Sequence, residues 1–210
     1  MHDMLRIYVG ERKWTMASFD LLLGMPCEII ATPKFQTFLP DYLIKYFNCT
    51  TIDGSPFITN SEYLLKYPSP EIHVAFQPLY LALIFLLIGI VLLSIERIRS
   101  RWFRWFDFIL YSITGLLGVI LVALWLFTSH YAPPFNLNLF WLLPTHLPIA
   151  FLLLKKQVPH SLRYYFLATF FIQIFLLLGW NWLPQPLNIA FLPLIILLAI
   201  RSASMAFRIK

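Results

Sequence analysis

From residue 76 onward the chain alternates long apolar runs with short clusters of basic residues. Residues 76–95, 108–129 and 137–154 contain no charge, and neither does any residue of 164–200. A membrane crossing needs roughly 20 mainly apolar residues, about 17 at the short end. The first three runs are therefore one span each, the third interrupted by Pro144, His146 and Pro148. The fourth run is too long for one span and divides into two at the turn "NWLPQP", which makes five. Before residue 76 the pattern is that of a different material, with turns at "GMP", "ATP" and "DGSP". Leu39, Leu43, Ile44 and Phe47 recur at helical spacing behind Pro40, which predicts a short amphipathic helix. "TTIDGSPFIT" predicts two short strands around an Asp-Gly turn. The expected architecture is an all-α integral membrane protein of five transmembrane helices preceded by a small α+β external segment. Its divisions are 1–75 external, 76–200 membrane and 201–210 cytoplasmic tail.

Charge gives this architecture a direction. All ten Lys and Arg residues after position 75 fall on one side: Arg97, Arg99, Arg101 and Arg104 between spans one and two, Lys155, Lys156 and Arg163 between three and four, and Arg201, Arg208 and Lys210 after span five. The opposite connections, "SHYAPPFN" and "NWLPQP", carry none. Basic residues near span ends stay on the cytoplasmic side. The expectation is a multi-pass protein of the cytoplasmic (inner) membrane, N-terminus outside and C-terminus inside. Trp102 and Trp105, beside arginines, suit interfacial anchoring. With 60% hydrophobic and only 12% charged residues, the net charge of +6 does not describe a soluble basic face, so nucleic acid is excluded as a partner and membrane lipids are expected. The start "MHDMLRIYVGERKW" has no apolar signal region, so residues 1–75 are expected to be the tail of a larger external domain. A segment this small buries too little core to stand alone.

The candidate chemistry is sparse. Cys27 and Cys49 show no spacing that argues for zinc, and no metal or cofactor is expected. A catalytic thiolate needs a base and an electropositive setting, and neither cysteine has a histidine in a recognisable arrangement. No catalytic residue is assigned. The notable polar positions lie in and around the two charge-free connections: His130, Asn136, Asn138, Trp141 and His146 on one side of the chain order, and Asn181, Gln185 and Asn188 on the other. Unpaired polar groups are costly in lipid. Two roles are open to the set His130, Asn136, Asn138, Trp141, His146, Gln185 and Asn188. They contact lipid or a lipopeptide substrate, or they brace the bundle and the external segment by hydrogen bonds. Pro144 and Pro148 free nearby carbonyls that the His146 ring is placed to use.

Four stretches carry a resemblance: "SFDLLLGMPCEIIATPKFQTFLPDYL", "PSPEIHVAFQPLYLALIFLLIG", "RWFDFILYSITGLLGVILVALWLFTSHYAPPFNLNLFWLLP" and "LPQPLNIAFLPLIILLAIR". Together they resemble the C-terminal part of Lnb-like envelope proteins, in which an external thiol acyltransferase-like domain precedes a five-helix membrane domain. The resemblance implies lipoprotein N-acyl transfer as the family chemistry, with a lipoprotein as substrate and a catalytic domain upstream of residue 1. Where the family often has an acidic residue before the histidine, this chain has Ser129. The reading is a membrane-anchoring module separated from its catalytic domain and not catalytic alone. The alternative is a non-enzymatic scaffold or small transporter-like protein. Five spans, no inverted repeat and polar groups near one surface count against transport.

Overall fold

The computed structural model describes residues 6, 9, 12–62, 64, 76–95, 100–129, 134–155 and 157–209. Among the described residues before position 76 are helix α1 (Lys13–Leu22), a 3₁₀ turn (Met25–Glu28), a single helical turn α2 (Pro33–Gln36) and helix α3 (Pro40–Asn48). Proline opens α2 and α3, where its missing N–H is no loss. Strands β1 (Thr51–Ile52) and β2 (Ser55–Pro56) pair antiparallel, Thr51 opposite Pro56 and Ile52 opposite Ser55. Asp53 and Gly54 turn the hairpin with φ of 50° and 80°. These left-handed values are those of the tight hairpin turn that an Asp-Gly pair favours.

The membrane part consists of α4 (Pro78–Ile95), α5 (Ser100–Phe127), α6 (His146–Leu153), α7 (Leu162–Gly179) and α8 (Leu192–Arg208). Among the described residues, three stretches are helical, long and apolar enough to cross a membrane: Arg104–Phe127, Leu162–Trp182 and Ile189–Arg208. The 18 residues of α4 rise about 27 Å, close to the hydrocarbon thickness of a bilayer. The expected third span is not one helix. It is a 3₁₀ turn (Leu137–Phe140), an irregular step through Leu142 and Leu143, and then α6. Pro144 cannot donate a backbone hydrogen bond, and the ladder resumes only when the His146 N–H reaches Leu143 O at 2.9 Å.

This broken segment lies in a groove on α5 made by two glycines. A Cβ on Gly118 would overlap the carbonyl oxygen of Leu142, and one on Gly115 would overlap the backbone nitrogen of Leu147. Small residues let backbones approach when water-driven burial no longer holds helices together. Farther along α5 the rings of Phe108 and Phe151 meet edge to face at 5.3 Å, so the segment runs antiparallel to α5. Helices α7 and α8 pack side by side, and α4 lies against α8. The core is the seam where α5, α7 and α8 converge, with Tyr111, Phe166, Leu176, Ile195 and Leu198 wholly or almost wholly buried.

Several polar residues of that seam are paired, whereas the buried Gln173 side chain has no hydrogen-bond partner among the described residues. Arg201 and Asp107 are both fully buried, and the guanidinium grips the carboxylate with two bonds, Nε to Oδ1 at 2.7 Å and a terminal nitrogen to Oδ2 at 2.6 Å. Next to this pair the Tyr111 hydroxyl meets Ser202 Oγ at 2.9 Å, and Thr169 donates to Ser202 at 3.2 Å. Helix α8 continues through Arg201 to Arg208 without a break, so Arg201 belongs to the bundle interior and not to a solvated tail.

Candidate functional site

The C-terminal end of α1 poses a problem that its own backbone does not solve. The last carbonyls of any helix lack intrahelical partners, and a buried orphan carbonyl is costly. Here Asp20 is 2% exposed. The membrane domain supplies the donors. Asn136 Nδ2 donates to Leu21 O at 2.7 Å, and Asn138 Nδ2 to Asp20 O at 2.8 Å and Leu21 O at 3.3 Å. Gln185 Nε2 donates to Leu23 O at 2.8 Å, and Asn188 Nδ2 to the Asp20 carboxylate at 2.6 Å. The two connections thus converge on one helix end more than 100 residues earlier in the chain.

Each amide is fixed before it reaches α1. Asn136 caps the 3₁₀ turn that follows it, its Oδ1 accepting from the Asn138 backbone N–H at 2.9 Å. The same oxygen accepts from Asn138 Nδ2 at 3.0 Å and Gln185 Nε2 at 3.2 Å. Asn188 repeats the device at the entrance to α8, capping through the Ala190 N–H at 2.9 Å while its other end holds Asp20. The Gln185 oxygen accepts from the Leu137 N–H at 2.8 Å, which ties the two connections together. Trp141, 2% exposed, donates its indole N–H to Asn138 Oδ1 at 3.0 Å and stands on Phe191. Just before Asn136, Phe135 takes a left-handed φ of 54° and turns the chain into the cluster. A non-glycine residue adopts that conformation at a cost of about 1–2 kcal/mol.

The expected residues divide by place. Asn136, Asn138, Trp141, Gln185 and Asn188 form one connected cluster with α1. His146 is fully buried but lies apart, its Nδ1 2.6 Å from the Tyr165 hydroxyl and its ring against Tyr111. The Tyr165 hydroxyl also meets Thr145 Oγ1 at 3.0 Å. Asn181 is exposed. His130 lies outside the described residues. Sequence reasoning missed Asp20, Asp107 and Arg201. Asp20 was one acid among eight in residues 1–75, and the other two stand immediately outside charge-free runs, where they read as flanking charges.

The cluster offers neutral amide donors and one carboxylate, a set that recognises carbonyls and fixes geometry. Cys27 is buried, and burial pushes its thiol pKa up, away from the thiolate a nucleophile requires. Cys49 is exposed at the end of α3, and the two cysteines are not disulfide-bonded. Among the described residues no three His, Cys, Asp or Glu side chains gather where they would hold a metal ion.

Comparison with known families decides the identity of the membrane part. A family model described as the Lnb transmembrane domain matches residues 69–210. The chain belongs to this family. The match takes in α4 through α8 and three of the four stretches that carried the resemblance, and it makes the chain a membrane-embedded module of an Lnb-like protein. Residues 1–68, with α1 and the hairpin, lie outside the matched range. No curated protein and no solved structure matches the chain.

Proposed function

We propose that this Lnb-family chain is the anchoring module of a lipoprotein N-acyltransferase-type protein, and that its polar connections clamp the external segment onto the outer end of the membrane bundle. The observation that carries this reading is the convergence of Asn136, Asn138, Gln185 and Asn188 on the end of α1. Their amide donors are engaged by α1, which favours bracing over direct contact with a lipid or lipopeptide. In this reading the bundle crosses the cytoplasmic membrane five times. The third crossing is the broken segment, whose antiparallel run along α5 from Gly118 to Phe108 supports it. The N-terminal side is outside and the basic connections are inside, as the distribution of Lys and Arg favours.

The module does not acylate on its own in this account. Acyl transfer requires an activated nucleophile, a base in hydrogen-bond reach and donors for the oxyanion. A raised thiol pKa at Cys27 works against activation, and the catalytic groups are assigned to a separate external domain acting on a lipoprotein. Reconstituting the purified chain in liposomes with a diacylated lipoprotein, then weighing the lipoprotein N-terminal peptide by mass spectrometry, tests this. The expected mass is unchanged. An acyl-sized gain that disappears in Cys49→Ser would place the catalytic centre in this chain.

A further inference from the structure

Helix α3 buries none of its nine residues. Helical spacing gathers Leu43, Ile44 and Phe47 on one face and places Lys45 on the opposite one. The ring of Phe57, just past β2, meets Phe47 edge to face at 5.4 Å and extends the same face onto the hairpin. These four side chains are between 36% (Leu43) and 48% (Phe57) exposed. We infer that this face is seated in the lipid leaflet at the end of the bundle where Pro78 opens α4, with α3 parallel to the bilayer plane. The inference takes from the proposed clamp only the place where the chain is tethered.

Three observations support it. The first is the tether. Near the start of α1, Trp14 donates its indole N–H to Phe76 O at 2.8 Å, just before α4 opens at Pro78. At the other end of α1, Gln185 holds Leu23 O at 2.8 Å. Helix α1 is thus tied at both ends to the end of the apolar bundle, at the level of lipid headgroups. The chain to α3 leaves from there, so the meeting of α3 with the bilayer is intramolecular, at an effective concentration of about millimolar. The second is the pattern of α3 itself. Leucine, isoleucine and phenylalanine on one face with lysine on the other is the arrangement of a helix that lies in the membrane interface. The Tyr46 hydroxyl ties one flank of α3 to Gln36 Oε1 at 2.6 Å, which leaves the Leu43–Phe47 face open. The third is size. The exposed parts of the four side chains amount to a few hundred Å², and Phe35 and Phe38, exposed just before α3, bring this to several hundred. A stable protein interface takes about 800 Å² from each partner. The face is therefore too small to hold a second copy of the chain or another domain. An interfacial helix needs only such a stripe, seated about 5–10 Å into the boundary between headgroups and acyl chains.

The test uses the full chain in lipid nanodiscs, spin-labelled at one position at a time. Cys49→Ser removes the exposed thiol, and the buried Cys27 stays. Labels on Leu43→Cys and Phe47→Cys are expected to relax by collision with oxygen, which concentrates among acyl chains, and to lose relaxation by a water-soluble nickel chelate. Labels on Lys45→Cys and Asn48→Cys should show the reverse. Phe47→Asp, at an exposed position, should turn the label on Leu43→Cys from oxygen to the chelate. Relaxation dominated by the chelate at both 43 and 47 in the otherwise unchanged chain would overturn the inference. So would labels there that neither reagent reaches, which would mark a protein partner on the face. Hydrogen exchange of the α1 amides in the same discs separates this inference from the clamp. Protected α1 amides beside chelate-exposed labels would leave the clamp standing and remove only the seat in the bilayer.

Discussion

Replacing Arg201 by leucine would leave the Asp107 carboxylate inside the α5–α8 seam without the guanidinium that grips it. Both side chains are fully buried, and two short charge-assisted bonds join them. Removing one partner of a buried ion pair costs about 3–5 kcal/mol, because the remaining charge is stranded away from water. Removing both is often close to neutral when apolar groups fill the space. The expected pattern is therefore a large loss for Arg201→Leu, a comparable loss for Asp107→Leu, and a double variant far more stable than the sum of the singles implies. Arg201→Lys should fall between, since an ammonium lacks the planar fork that engages both carboxylate oxygens. Reversible unfolding in mixed micelles, titrated with sodium dodecyl sulfate, measures the parent, the two leucine singles and the double as a double-mutant cycle, with Arg201→Lys beside them. Single substitutions costing under about 1 kcal/mol, or a double variant equal to the sum of the singles, would refute the reasoning and return Arg201 to a hydrated, flanking role.

Two further outcomes follow from the geometry. Gly118→Ala places a methyl group on the Leu142 carbonyl oxygen and should destabilise the bundle by about 1–3 kcal/mol in the same titration, whereas Ala at the open surface position Val119 should change little. Reporter fusions after Lys66, at Arg101, after Pro134, at Gln157 and after Lys210 should read outside, inside, outside, inside and inside; an outside reading at Arg101 would reverse the proposed orientation.

The parts of the fold legible in the sequence were those set by local pattern. Charge-free runs marked α4, α5, α7 and α8, and the Asp-Gly pair marked the hairpin. The prolines that interrupt the run 137–154 were visible, but its division into a 3₁₀ turn and a short helix, with the glycines of α5 accepting the broken backbone, was not. That fit depends on two segments meeting in register, which composition does not encode. The amides at 136, 138, 185 and 188 were conspicuous because polar groups are rare in such a chain. Their targets were hidden, because backbone carbonyls at Asp20, Leu21 and Leu23 leave no signature in side-chain sequence. Asp107 and Arg201 were hidden for another reason. They are 94 residues apart and border apolar runs, so a reading by windows assigns both to the interface until the two helices are laid side by side.

The clamp is tested most directly by hydrogen exchange at the backbone amides of α1, measured on the full chain in lipid nanodiscs with Asn138→Ala beside the parent. Asn138 contributes two bonds to the end of α1 and one acceptor to Trp141. With about 1 kcal/mol for each bond to α1, their loss amounts to about 2 kcal/mol, and opening of the C-terminal half of α1 should become roughly thirtyfold more frequent. Exchange in the β1–β2 hairpin, which the clamp does not touch, should stay as it was. If α1 exchanges at the parental rate while only the amides around Trp141 speed up, Asn138 serves the bundle alone and α1 is held by something else.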